Sequence, residues 1–280
     1  MKKILKFYKL CLMAGIIFLS LQQEISAANI FKQIPKFNSP EIHLFDASGN
    51  LQIFSRKAST SFSEGKFTWS GENKEIRSYL TLSVTENKVR GSVSGAGNDF
   101  QFKGDLKKQE IYPTPTKRRS CGGCRFTQSQ WADSRPRSAA QTKHAWRDAD
   151  AGQIDLMVVY PTAVKNAIGS FQETVNEINN AVAGANLCFR NSDVQVHLRL
   201  VHIHETDYIP TSNLDVDLER LTQKGDGYLD DIHNLRDQYG ADIVTLLSTD
   251  SDMGGLANTL NYPSLSFEDS AFNVCVWDQI

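Results

Sequence analysis

The chain has 280 residues, 40% of them hydrophobic and 22% charged, with a net charge of −2. That length allows two domains with a sizeable core, and past the N-terminus no segment is apolar enough for long enough to cross a membrane. Near-neutrality hides a polarised chain: residues 103–147 hold 11 Lys/Arg against 3 Asp/Glu, while residues 153–280 hold 6 against 19, and the acidic half argues against a nucleic-acid partner because it would repel phosphate.

In chain order, residues 1–28 read as a secretory signal. Lys2, Lys3, Lys6 and Lys9 are the basic start, Leu10 to Leu21 is a 12-residue apolar run, and Ile25-Ser26-Ala27 precedes Ala28. The run is shorter than the roughly 20 residues of a membrane span. An uncleaved anchor is the alternative reading. Cys11 has no small residues before it, which argues against a lipid-modified cysteine. The mature protein is expected to be secreted, extracellular or periplasmic, with no membrane association after cleavage.

Residues 29–112 predict a small β-rich domain. Short alternating runs such as Tyr79 to Val84, Val89 to Val93 and Phe100 to Phe102 are separated by polar turn clusters, among them Asp46 to Asn50 and Glu86 to Lys88. Nothing in this part suggests chemistry. Residues 113–152, with Pro113, Pro115 and Pro136 and few large apolar residues, read as a basic linker. Its charge suggests a connector lying across the acidic domain, against the plainer reading of two separately solvated surfaces.

From residue 153 strands and helices alternate, which predicts an α/β domain over 153–280 with a mostly parallel sheet. Ile154 to Tyr160 is a near-continuous apolar strand. Pro161-Thr162 opens a helix with Val164, Ile168, Phe171, Val175, Ile178 and Val182 on one face, and Gly184 and Asn186 suit its end. Val194 to Ile203 is a strand with Val194, Val196, Leu198 and Leu200 on one side. A second helix carries Tyr228, Ile232, Leu235 and Tyr239, closed by Gly240. Asp242 to Leu247 and Phe272 to Val276 are further strands. Asp226, Asp230, Asp231 and Asp237 read as helix-surface carboxylates.

Several of these segments together resemble a metzincin zinc metalloprotease of the reprolysin-like or peptidyl-Asp metalloendopeptidase type. Ile154 to Ala163 resembles the opening strand and Leu198 to His202 the second. The most specific stretch is Leu235-Arg236-Asp237-Gln238-Tyr239-Gly240-Ala241-Asp242-Ile243-Val244; Gly254-Gly255-Leu256-Ala257 resembles the rim of the cleft, and Ala271 to Val274 the strand before the zinc helix. Gly254 stands where the family often has cysteine. The resemblance implies zinc as cofactor in an intact member, with three histidines as ligands and a glutamate activating water. It implies a peptide or protein substrate lying along Gly254, Gly255, Leu256 and Ala257, and a propeptide in the β-rich part.

The motif H-E-x-x-H does not occur in the 280 residues. The expectation is therefore a chain without its zinc helix, inactive alone, binding no zinc, and with one apolar face of its sheet poorly covered. His204-Glu205-Thr206-Asp207-Tyr208 begins like the motif but lacks the second histidine and lies on a strand. His202 and His204 share a strand face and read as surface or structural residues. Cys121 and Cys124 form a C-x-x-C in the linker. The resemblance makes them candidates for an inhibitory thiol on zinc, and a local disulfide or two spare thiols is the alternative. Two other functions compete with the protease precursor. One is a non-catalytic secreted peptide-binding or protein-binding remnant of a metzincin. The other is a nucleotide-binding module, which lacks a glycine-rich loop after Tyr160.

Overall fold

The computed structural model describes residues 29–95, 99–114, 152–249, 251, 253–259 and 265–280. The signal, nearly all of the basic linker, and with it Cys121 and Cys124, lie outside the described residues.

The first sheet is an antiparallel meander of seven strands in sequence order: β1 Glu41–Phe45, β2 Leu51–Ser63, β3 Lys66–Asn73, β4 Ser78–Thr85, β5 Lys88–Ser94, β6 Phe100–Asp105 and β7 Lys108–Pro113. The turns follow from the polar clusters. Asp46 accepts from the backbone N–H groups of Ser48 and Asn50, both at 2.9 Å, around Gly49 in the left-handed region. Alternation sends Leu80, Leu82 and Val84 to one face with Trp69, Val89, Val93 and Phe102. Phe102 lies over Gly91, where a side chain would meet its ring. The N-terminal residues tie this core together: Phe31 bridges to Leu44 of β1 and packs edge-on against Phe102 of β6 at 5.5 Å. The opposite face is polar and also buried, through Thr68, Ser70, Thr81, Ser83, Thr85 and Arg90.

The second sheet has five strands: β8 Gly152–Pro161, β9 Val196–Thr206, β10 Ile243–Ser248, β11 Gly255–Ala257 and β12 Phe272–Val276. Their order is β11-β12-β10-β8-β9, parallel throughout except β11, which runs antiparallel to β12. Among the described residues four α-helices accompany it: α1 Thr162–Ile168, α2 Phe171–Asn191, α3 Leu214–Thr222 and α4 Asp230–Tyr239. This is the α/β arrangement that alternating strands and helices predict.

Residues of β8 alternate between two cores. Leu156, Val158 and Tyr160 meet Val164, Ile168 and Ile178 of α1 and α2. Met157 and Val159 meet Leu214, Leu218 and Leu221 of α3 and Ile232 of α4. A parallel sheet has to be covered on both faces, and this one is. The expected bare apolar face is not found among the described residues: Leu246, Val274 and Val276 are all 0% exposed. The cover is α3, which periodicity did not predict, together with Trp277 and Ile280 packed on the other core.

Three further differences from the sequence reading have local causes. The single helix from Thr162 is two, because Gly169 turns to φ 134° and Ser170 caps a new start, its hydroxyl accepting from Glu173 N–H at 3.2 Å. The second of these, α2, runs through Gly184 and Asn186 to Asn191. In β9 a bulge opposite Leu156 and Met157 inserts Val201, so that Val201 and His202 both turn toward α4.

Candidate functional site

The last crossover returns the chain along the free side of β12, so Gly254 to Ala257 lies at the margin of the sheet. Val276 N–H donates to Gly254 C=O at 2.9 Å, and Asn258 N–H donates to Phe272 C=O at 3.3 Å. Gly254, Leu256 and Asn258 therefore point their peptide groups toward β12, and the antiparallel alternation points those of Gly255 and Ala257 outward. A Cβ on Gly255 would sit 3.1 Å from Val274 O and 3.2 Å from Cys275 Sγ, so its bareness serves the packing against β12. Leu256 is half-buried on the α3 core, and Ala257 is exposed.

Beyond this edge lies a groove. Asp215, Leu218, Glu219, Thr222 and Gln223 of the α3 region form one wall, and Leu256, Ala257, Asn258 and Thr259 the other. Asn258 donates to Thr222 Oγ1 at 3.0 Å, holding the walls together at one end. The wall is anchored by Asp217, 0% exposed, which accepts from Tyr208 O–H at 2.6 Å, Thr211 O–H at 2.8 Å and Thr211 N–H at 3.0 Å. Burial, then the bond to Asp217, pushes the Tyr208 hydroxyl up to about 12. Sequence reasoning missed this residue, since Asp217 looks there like any carboxylate of an acidic run.

The other margin, β9, is different. Leu198 N–H donates to Asn186 Oδ1 at 2.8 Å, and Asn186 Nδ2 donates back to Leu198 C=O at 2.9 Å. One side-chain amide on α2 thus takes the place of a neighbouring strand.

His202 and His204 do share a face. His202 stacks on Tyr239 with ring centroids 3.7 Å apart and planes 7° from parallel. His204 is 6.0 Å from His202, with Asp231 Oδ2 3.9 Å from its Nε2. Burial, and next the neighbouring His204, hold the His202 pKa below its ordinary value, so the stacked ring is neutral near pH 7. Among the described residues no three His, Cys, Asp or Glu side chains converge as a metal site would need. The pseudo-motif glutamate, Glu205, instead accepts from Thr162 O–H at 2.9 Å and pairs with Lys165, pinning the start of α1 to β9. Of the four carboxylates read as helix-surface groups, Asp226 lies in the loop before α4, accepting from Tyr228 N–H at 3.0 Å. Cys188 carries a free thiol.

Residues 175–278 match the model of a family described as metallo-peptidase family M12B, Reprolysin-like. Peptidyl-Asp metalloendopeptidase from Xanthomonas campestris pv. campestris is 33% identical over 125 residues, which is 45% of this chain and 28% of that protein. Its counterparts from two strains of Stenotrophomonas maltophilia are 32% and 33% identical over the same lengths and shares. The chain thus spans a little over a quarter of the curated relatives it matches. A chain in a solved structure titled "Structure of a chaperone-substrate complex" aligns with 69% of this chain and 32% of its own length, at 14% identity and a TM-score of 0.38. A likeness that loose carries no argument. The reprolysin-like resemblance read from the residues is shown for the second half of the chain, the part that contains β9 to β12 and the groove.

Proposed function

We propose that residues 152–280 are the substrate-holding part of a secreted zinc metalloendopeptidase precursor, with residues 1–28 as its signal and the first sheet as its propeptide. The observation that carries this reading is the β11 edge. In a stretch that matches a metallopeptidase family, a terminal strand turns the peptide groups of Gly255 and Ala257 away from β12, and Leu256 to Thr259 line an open groove beside α3. An extended peptide can add to such an edge as one more antiparallel strand, its backbone bonding Gly255 and Ala257 while its side chains meet Leu256 and the α3 wall.

Zinc in an intact member would polarise the scissile carbonyl and activate water. The described residues do not fit a ligand set for it, His202 being stacked on Tyr239 and no third ligand converging with His204 and Asp231. The part assigned to this chain is therefore to bind and orient the peptide. The basic linker is proposed to cover this edge in the precursor, with Cys121 or Cys124 as the inhibitory thiol.

The test is the coding sequence that follows codon 280. An open frame with H-E-x-x-H-x-x-G-x-x-H or the same motif ending in Asp, within about 100 residues, is the expected result. A stop with no such motif in any frame would overturn the protease reading in favour of a secreted peptide-binding protein that uses the same edge.

A further inference from the structure

α2 is buried almost all round between Thr174 and Asn180, because it lies between the two sheets. Its Ile178 joins the core of the second sheet, but the side turned to β3, β4 and β5 is polar. Asn176 and Glu177, 1% and 5% exposed, meet the buried polar face of the first sheet. Ser83 O–H donates to Asn176 Oδ1 at 3.1 Å, and Asn176 Nδ2 donates to Lys88 C=O at 3.2 Å. Arg90, 8% exposed, forms an ion pair with Glu177. None of the three hydrophobic clusters among the described residues crosses this junction; each stays within one sheet and its own elements.

From this juxtaposition we propose that the polar face of α2 is a separable docking surface for the first sheet. The two halves recognise each other through the Arg90–Glu177 pair and the Asn176 bonds, and stay associated when the chain between them is cut. A junction sealed by a shared apolar core exposes oily surface on separation, and each half would then aggregate. A junction of paired polar groups leaves two faces that water can satisfy. A buried ion pair also makes the junction selective rather than strong: complete, it roughly balances its desolvation, but with one partner removed it leaves a charge stranded away from water. The inference does not depend on the proteolytic reading, since it concerns the far side of α2 from the groove.

The test uses the full chain with one site for a sequence-specific protease placed between residues 115 and 151, cut after folding in reducing buffer so that no cysteine links the halves. Sedimentation velocity then measures their association. The cut wild-type halves are expected to move together. Arg90→Ala and Glu177→Ala should each weaken association by about a hundred- to a thousand-fold. The paired replacement Arg90→Met with Glu177→Leu should restore it, because neither charge is left alone. Should Arg90→Ala prevent β5 from forming, Asn176→Ala reads the same surface from the helix side, with a loss of about ten-fold expected. Wild-type halves that separate on cutting, or single variants that hold as tightly as wild type, would overturn the proposal.

Discussion

At one margin of the second sheet, β9 turns Leu198 outward and a side-chain amide of α2 answers both of its peptide groups. At the other, β11 turns the peptide groups of Gly255 and Ala257 outward, and Leu256 to Thr259 line a groove walled by α3. An exposed strand edge pairs with whatever extended chain it meets, so leaving one open is a liability unless it is used. The contrast teaches where a peptide can approach this sheet: on the β11 side, with α3 as the wall that shapes it. Asp217, Tyr208 and Thr211 matter because they fix that wall.

The strongest way to break the contrast is to remove the wall. Leu221 is 0% exposed in the core beneath α3. Leu221→Ala is expected to cost about 2–5 kcal/mol by lost burial and a residual cavity, read as a fall in the urea midpoint with unchanged slope. Asp217→Ala attacks the anchor and leaves the Tyr208 hydroxyl and the Thr211 N–H without their acceptor. The expected loss is about 1–3 kcal/mol, with a Tyr208 near-UV signal that collapses toward that of an exposed phenol.

At the closed margin, Asn186→Ala should cost about 1 kcal/mol and give concentration-dependent scattering, as an unanswered edge begins to pair between molecules. At the open margin, Ala257→Pro removes one outward N–H and touches no bond to β12. Binding of unfolded β-casein should weaken about three- to ten-fold while the thermal midpoint barely moves. The smallest effect concerns Glu205, whose pKa lies below its ordinary 4.5, first because of the Lys165 hydrogen bond. A carboxylate held low in the folded state stabilises above about pH 4.5, and that contribution is lost as pH falls through the depressed value. The urea midpoint of Lys165→Met should accordingly depend less on pH below 5 than that of wild type.

How much of this was legible without coordinates differs by element. β12 was read at Phe272 to Val276 and occupies the same residues, since Phe272, Val274 and Val276 alternate onto one core. The end of α4 at Gly240 was legible because a left-handed cap, φ 62°, favours glycine. The whole of α3 was not. Leu214, Val216 and Leu218 step by two as a strand would, while Leu214, Leu218 and Leu221 step by four and three as a helix does, and the core beneath selects the second pattern. The Ser170 cap that starts α2 was hidden by an apolar face, Val164 to Val182, that continues across it. The β9 bulge leaves no mark in composition, so the alternation forecast for Val194 to Leu200 could not foresee that Val201 and His202 turn the same way.

For the candidate site, the sequence located Gly254 to Ala257 only through resemblance. The margin position is what the structure adds, while the use of that margin for a peptide is the proposal. The space beside Gly255 belongs to β12, where a Cβ would meet Val274 O and Cys275 Sγ.

The most direct measurement is residue-resolved hydrogen exchange across β11 in the full chain, with and without saturating unfolded β-casein. The account predicts that the amides of Gly255 and Ala257 exchange fast while Leu256, turned toward Val274, exchanges slowly, and that casein slows Gly255 and Ala257 alone. Uniform exchange along the strand, or protection by casein that falls elsewhere and leaves Gly255 and Ala257 unchanged, would contradict it.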